Sequence, residues 1–160
     1  MQRITLLCVG KLKEKFYADA AAEYQKRLSR YCKLDIIELP EERLPEDPAP
    51  AQIEAALARE AEALRGKLPP GAVLAALCVE GRERSSEELA ELMARWAGRG
   101  ESRVAFLIGG SHGLHASVKR EAAERLSMSP MTFPHHLARV MLLEQIYRAY
   151  QINAGTKYHK

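Results

Sequence analysis

Cysteine is scarce in this chain. Three residues, Cys8, Cys32 and Cys78, are scattered over 160 positions, odd in number and never spaced as Cys-x-x-Cys. That excludes a disulfide scaffold, and with no cysteine near a histidine a zinc site is not expected: metal, none. Cys8 and Cys78 sit in apolar runs and read as small core residues, which fits a reducing cytoplasm. No apolar stretch reaches the roughly eighteen residues of a membrane span, so no membrane partner is expected. The apolar run near the N-terminus is too short for a secretory signal, and its lysines follow it instead of preceding it. Two nucleotide motifs are also missing. The chain has neither Gly-x-Gly-x-x-Gly nor Gly-Lys-Ser/Thr, so neither a Rossmann loop nor a Walker loop is present.

What is there reads as one ordinary globular domain, residues 1–160. Hydrophobic residues make up 47% and charged residues 28%, a balance that supports a sizeable core. The net charge of +3 is unevenly spread. Residues 1–33 carry eight Lys/Arg against three Asp/Glu, residues 119–160 carry seven against three, and the middle carries nine against fifteen. If the two basic ends meet in space they form a surface for a polyanion; otherwise they are solvated helix faces.

Apolar periodicity predicts alternating elements. Strands are expected over 2–9, 33–39, 72–79 and 103–108, with a short one over 131–133. Helices are expected over 15–31, 51–64, 116–126 and 136–152, and one more starts at Ser85-Ser86-Glu87-Glu88 with a plausible N-cap and runs to about residue 97. The proline-rich, acidic segment 40–50 reads as a surface loop. The alternation argues for an α/β fold with a mostly parallel sheet flanked by helices, and the apolar run 72–79 for a strand covered on both faces.

Four segments could carry chemistry. The first is FLIGGSHGLH, residues 106–115. A β-rich run ends in Gly109-Gly110, crosses Ser-His-Gly and enters a helix. Such a junction brings bare backbone to a ligand at the carboxyl edge of a sheet, or is a tight turn with no ligand. The second is LSMSPMTFPHH, residues 126–136, too apolar for an ordinary exposed loop. Its prolines at 130 and 134 hold the backbone extended, which suits a flat heterocycle. The third is the last helix, apolar almost all round except for Glu144, Arg148 and Gln151. It is either sandwiched against a second subunit or is the central helix of a monomer. Glu144 and Arg148 are spaced for an i,i+4 ion pair, on the surface or partly buried and functional. The fourth is the end, Tyr158-His159-Lys160: a frayed terminus, or groups able to stack on a base and handle a proton.

These segments together carry a resemblance. VAFLIGGSHGLH, LSMSPMTFPHHLARVMLLEQIYRAYQI and the YHK end, with ITLLCVGKLKEKFY near the start, resemble the RlmH family of bacterial SPOUT methyltransferases over nearly the whole chain. The resemblance implies a C-terminal trefoil knot, a homodimer, and S-adenosylmethionine as cofactor. It implies methylation of N3 of a pseudouridine in large-subunit (23S) ribosomal RNA. Cofactor contacts carried over are Leu77, Gly109, and the loop Met128, Ser129, Pro130, Met131, Thr132 and Phe133. For the chemistry, His159 is the candidate base and Arg148 the group that stabilises negative charge on the uracil oxygens. Tyr158 stacks or orients the base, Glu144 holds Arg148, and the tail is expected to serve the partner subunit's cofactor. Two readings compete with this one. A non-catalytic RNA-binding protein explains the basic ends but has no need of an apolar cleft. A nicotinamide oxidoreductase conflicts with the glycine spacing and with the missing acidic ribose ligand.

Overall fold

The computed structural model describes residues 1–160. Strands β1 (Arg3–Val9), β2 (Lys33–Leu39), β3 (Val73–Glu83), β4 (Arg103–Ile108) and β5 (Glu124–Ser127) alternate with helices α1 (Lys15–Leu28), α2 (Pro50–Arg65), α3 (Ser86–Gly98), α4 (Ala116–Glu121) and α5 (His135–Asn153). The strands form one sheet in the order β2-β1-β4-β3-β5, and every pairing is parallel. All strand ends and the loops that follow them therefore open on one edge of the sheet.

The period of two along the central strands sorts the core into two layers. Ile4, Leu6 and Cys8 of β1, with Val104, Phe106 and Ile108 of β4, pack on the side covered by α1, α3 and α5. Leu7, Val9 and Leu107 pack on the other side, against α2 and α4. Each wholly buried Leu, Ile or Phe in these layers contributes roughly 1.5–3 kcal/mol. The Ser85 cap is as expected: its hydroxyl accepts from the Glu88 N–H at 3.1 Å, and the Glu88 carboxylate accepts from the Ser85 N–H at 2.7 Å.

Three expectations about elements change. The helix expected over 116–126 stops at Glu121, and Glu124–Ser127 is the edge strand β5. Alanine, glutamate and leucine favour a helix there, but pairing with β3 overrides that preference. Residues 131–133 form no strand. The doubly covered strands are β1 and β4. In β3 only Ala75 and Ala76 are buried.

That strand also breaks register. Leu77 and Arg82 both pair with Leu126, so residues 78–81 bulge out of the sheet. Gly81 makes the bulge possible, because a Cβ there would lie 2.7 Å from the Arg125 carbonyl oxygen.

Candidate functional site

Two adjoining hollows lie at the carboxyl edge of the sheet. The first, of about 110 Å³, is lined by the β3 bulge (Leu77, Cys78, Val79), Ile108 at the end of β4, the loop after β5 (Met128, Ser129, Met131, Phe133), and His135 and Ala138 of α5. The second, of about 650 Å³, shares Cys78, Val79, Phe133 and His135 with it and is completed by Gly110–Leu114, Thr132 and Lys119. The glycine loop and the loop after β5 meet there with Leu77, and the bulge that follows Leu77, which the sequence did not announce, completes the wall.

Leu77, Met128, Ser129, Met131 and Phe133 line the first hollow, and Thr132 lines the second. Pro130 is exposed and lines neither. Gly109 lines neither as well. It is buried, and a Cβ on it would lie 2.3 Å from the Gly113 carbonyl oxygen. Its lack of a side chain lets the glycine loop fold on itself, with Gly113 at φ +80° and its N–H donating to Gly110 at 3.1 Å.

Other residues contribute that sequence reasoning did not single out. Cys78 is half-buried wall and not core, and burial raises its thiol pKa. The bulge that exposes it depends on strand register, which no local pattern reveals. Glu41, from the 40–50 loop, braces the glycine loop by accepting from the Ser111 N–H at 2.8 Å. Burial alone would push its carboxyl up; the hydrogen bonds from Ser111 outweigh it and hold the group below its ordinary range. Burial, with His136 beside it, lowers the pKa of His135. That keeps an uncharged ring against the apolar wall at neutral pH. Ser129 shapes its own loop, its hydroxyl accepting from the Met131 N–H at 3.0 Å.

The second cluster sits at the other end of α5. Arg148 Nε donates to Glu144 at 3.1 Å, with both side chains about a quarter or less exposed. The tail folds back over them. The Tyr158 hydroxyl donates to Glu144, its ring lies 4.7 Å from the Arg148 guanidinium, and Tyr147 packs on it edge-on at 4.9 Å. The bond to Glu144, then burial, pushes the phenol up to about 12. His159 Nδ1 lies 3.1 Å from Arg148 and Nε2 lies 2.6 Å from Glu87 of α3. Arginine can only donate, so Nδ1 accepts and Nε2 carries the proton. All four expected residues come together, and the tail is ordered against its own chain. Gln151 does not share their face. It is buried and bonds Tyr31 at 2.8 Å.

Ala138 at the first hollow and Arg148 in the second cluster are ten residues apart on one helix, which is roughly 15 Å of rise. A further hollow of about 390 Å³ lies between them: Met128 lines both it and the first hollow, and Met141 and Glu144 line it as well. Leu137, Val140 and Met141 remain partly exposed on α5, and Met131 of the preceding loop is exposed. No group of three or more His, Cys, Asp or Glu is arranged to hold a metal, and no helix is long and apolar enough to cross a membrane.

An all-parallel sheet flanked by helices, with an apolar cleft and a glycine loop at its carboxyl edge, defines an α/β protein. The family described as predicted SPOUT methyltransferase matches residues 2–159, and the chain belongs to that family. A Pelotomaculum thermopropionicum protein named ribosomal RNA large subunit methyltransferase H is 50% identical over 159 residues, covering 99% of each chain. One of the same name from Lactobacillus delbrueckii subsp. bulgaricus is 45% identical over 157 residues, covering 98% of this chain and 99% of the relative. Among solved structures, a probable methyltransferase from Bordetella pertussis Tohama I superposes with a TM-score of 0.59 at 16% identity, covering 93% of this chain and 95% of that one. A probable methylase family protein from Haemophilus influenzae Rd KW20 gives 0.54 at 14%, covering 99% of this chain and 70% of that one. At such identities these two structures speak for the fold alone.

Proposed function

We propose that this chain transfers a methyl group from S-adenosylmethionine to N3 of a pseudouridine in large-subunit ribosomal RNA, within the large subunit or the assembled ribosome. It would do so as a homodimer of single catalytic domains in the cytoplasm. The observation that carries this reading is the joined pair of hollows, whose walls combine backbone-bare glycines with apolar side chains. The names of the relatives supply the substrate class, and the resemblance supplies the atom and the knotted C-terminal segment.

The walls fit the cofactor. Eight of the ten residues lining the smaller hollow are hydrophobic, which suits an adenine ring, and the adjoining hollow leaves room for a charged tail. Leu77, Met128 and Phe133 would hold the ring, with the loop from Ser129 to Thr132 around it. When bound, S-adenosylmethionine supplies a methyl group already activated on a sulfonium. The chain's part is then alignment and proton handling. A neutral uracil-type N3 is a poor nucleophile, and losing its proton places negative charge on the flanking oxygens. Arg148, held by Glu144, offers a fixed cation for those oxygens. His159 accepts the N3 proton once it leaves Arg148 and presents Nδ1. Tyr158 stays protonated at neutral pH and anchors the tail to Glu144.

Completing each site with the tail of a second copy follows from the homodimer that the resemblance implies. The partly exposed Leu137, Val140 and Met141 are the surface such a copy would cover. The test is methyl transfer from labelled cofactor to naked ribosomal RNA, large subunits and whole ribosomes. Incorporation into one of the ribosomal particles supports the reading. Tight RNA binding with no cofactor binding by calorimetry would instead favour a non-catalytic RNA-binding protein.

A further inference from the structure

On the α4 side of the sheet, away from α5, lies a concavity of about 580 Å³ that the proposed reaction does not use. Its rim and floor carry five cations, Arg82, Arg84, Lys119, Arg120 and Arg125, against Glu80 and Glu124. Two of the cations are committed. Arg84 makes a bidentate pair with Glu124 at 2.9 and 3.0 Å, and Lys119 reaches Glu80 at 2.5 Å. Arg82, Arg120 and Arg125 are exposed and make no ion pair. Glu80 and Lys119 also line the 650 Å³ hollow beside the glycine loop. The concavity and that hollow therefore adjoin along a shared wall and together form a trough.

The strand register explains why the arginines converge. The bulge at 78–81 brings Arg82 opposite Leu126, the neighbour of Arg125 on the edge strand. Arg120 comes from the last turn of α4. Three guanidiniums around one hollow repel one another, and although Glu80 lies near Arg125 and Glu121 near Arg120, no carboxylate pairs directly with any of the three. A polyanion would offset that repulsion. The trough suits a chain of phosphates better than a single anion, because the three arginines stand on three different elements around it.

We propose that this trough is a docking surface for the phosphate backbone of the ribosomal RNA that flanks the target nucleotide. The proposal rests on the RNA substrate read above. Arg82, Arg120 and Arg125 contact phosphates and fix the register of the RNA, so that the target base reaches the glycine-loop hollow. They take no part in the chemistry.

The experiment uses the full-length protein and purified large subunits. Affinity is measured over a salt series for the wild type, for the triple variant Arg82→Gln/Arg120→Gln/Arg125→Gln, and for the same three positions changed to Lys. Neutralising about three phosphates predicts that the Gln variant binds at least roughly tenfold more weakly at low salt. The slope of log affinity against log salt should fall by about 2. KM for subunits rises while kcat at saturation, cofactor affinity and sedimentation behaviour stay as in the wild type. The Lys variant keeps most of the slope. An unchanged slope in the Gln variant overturns the proposal. So does an equal loss in the Lys variant, which would mean that the arginines act through packing, and so does a loss of cofactor binding, which would make the trough part of the cofactor site. Failure of the function reading looks different: trough-dependent binding without methyl transfer would leave this surface standing and remove the reaction.

Discussion

His159 offers no free nitrogen as it lies, since Nδ1 faces Arg148 and Nε2 faces Glu87. A proton taken by Nδ1 would put a second cation beside the guanidinium, so the imidazole must swing away before it acts as a base. His159→Ala should lower kcat by roughly a hundredfold, and the variant's pH–rate profile should lose the limb that the wild type owes to its base. Cofactor affinity should stay unchanged by calorimetry. Arg148→Ala should also lower kcat, and Arg148→Lys should restore it only in part, because an ammonium cannot reproduce the planar fork that Glu144 holds. At the cofactor end, Gly109 is a poor test position. A valine there would collide with the Gly113 backbone and disturb the whole loop, so loss of binding would say nothing about contact. Phe133 lies outside regular structure and is half-buried. Phe133→Ala should weaken cofactor binding by roughly tenfold, about 1.4 kcal/mol, with the melting temperature little changed. The residue types were legible where chemistry dictates them: apolar walls, bare glycines, a spaced Glu–Arg pair. Cys78 and Glu41 were not, because their roles depend on a strand bulge and on a loop 70 residues away in sequence from Ser111.

Helix α5 joins the two layers of function, and a buried arginine paired with Glu38 fixes its start. Arg139, 2% exposed, donates to Glu38 of β2 at 2.7 Å and to the Gly10 carbonyl at 3.0 Å. Burial alone would push the Glu38 carboxyl up. The Arg139 guanidinium and the Leu12 N–H outweigh burial and hold it below its ordinary 4.5. A lowered carboxylate pKa adds stability that is present above the ordinary value and lost as pH falls through the lowered one. Glu38→Gln should cost about 1–3 kcal/mol at neutral pH, since it leaves the buried guanidinium without an anion. Its melting temperature should also fall less steeply with acid than that of the wild type, a comparison that thermal unfolding at several pH values makes directly. Most elements were readable from period and capping, as the Ser85 cap illustrates. The edge strand β5 was not. Three of its four residues, Glu124, Arg125 and Leu126, favour a helix in isolation, and the segment becomes a strand through pairing with β3, information carried by a segment some fifty residues earlier.

At the scale of the molecule, the girth of α5 suggested burial on two sides, and the chain's own fold accounts for most of it: α5 packs against α1, α3 and the sheet, leaving Leu137, Val140 and Met141 half-buried. Leu143 and Ile146 are wholly buried in the core, so replacing either with Asp would unfold the protein and could not report on assembly. Met141 and Val140 are the informative positions. Met141→Asp should convert a dimer to a folded monomer in equilibrium sedimentation. It should abolish methyl transfer while the isolated chain still melts cooperatively. A wild type that sediments as a monomer at micromolar concentration would remove the proposed completion of each site by a second tail. Neither assembly nor a knot follows from local periodicity, because both depend on how distant segments pass one another.

The most direct test of the account is the identity of the methylated nucleoside. Large subunits and whole ribosomes are incubated with the protein and isotopically labelled S-adenosylmethionine, and the ribosomal RNA is digested and resolved by mass spectrometry. The account predicts label in one nucleoside, a pseudouridine carrying the methyl on N3, and its absence with a protein lacking Tyr158–Lys160. Label on a ribose oxygen or a base carbon, or undiminished label with the truncated protein, would contradict it.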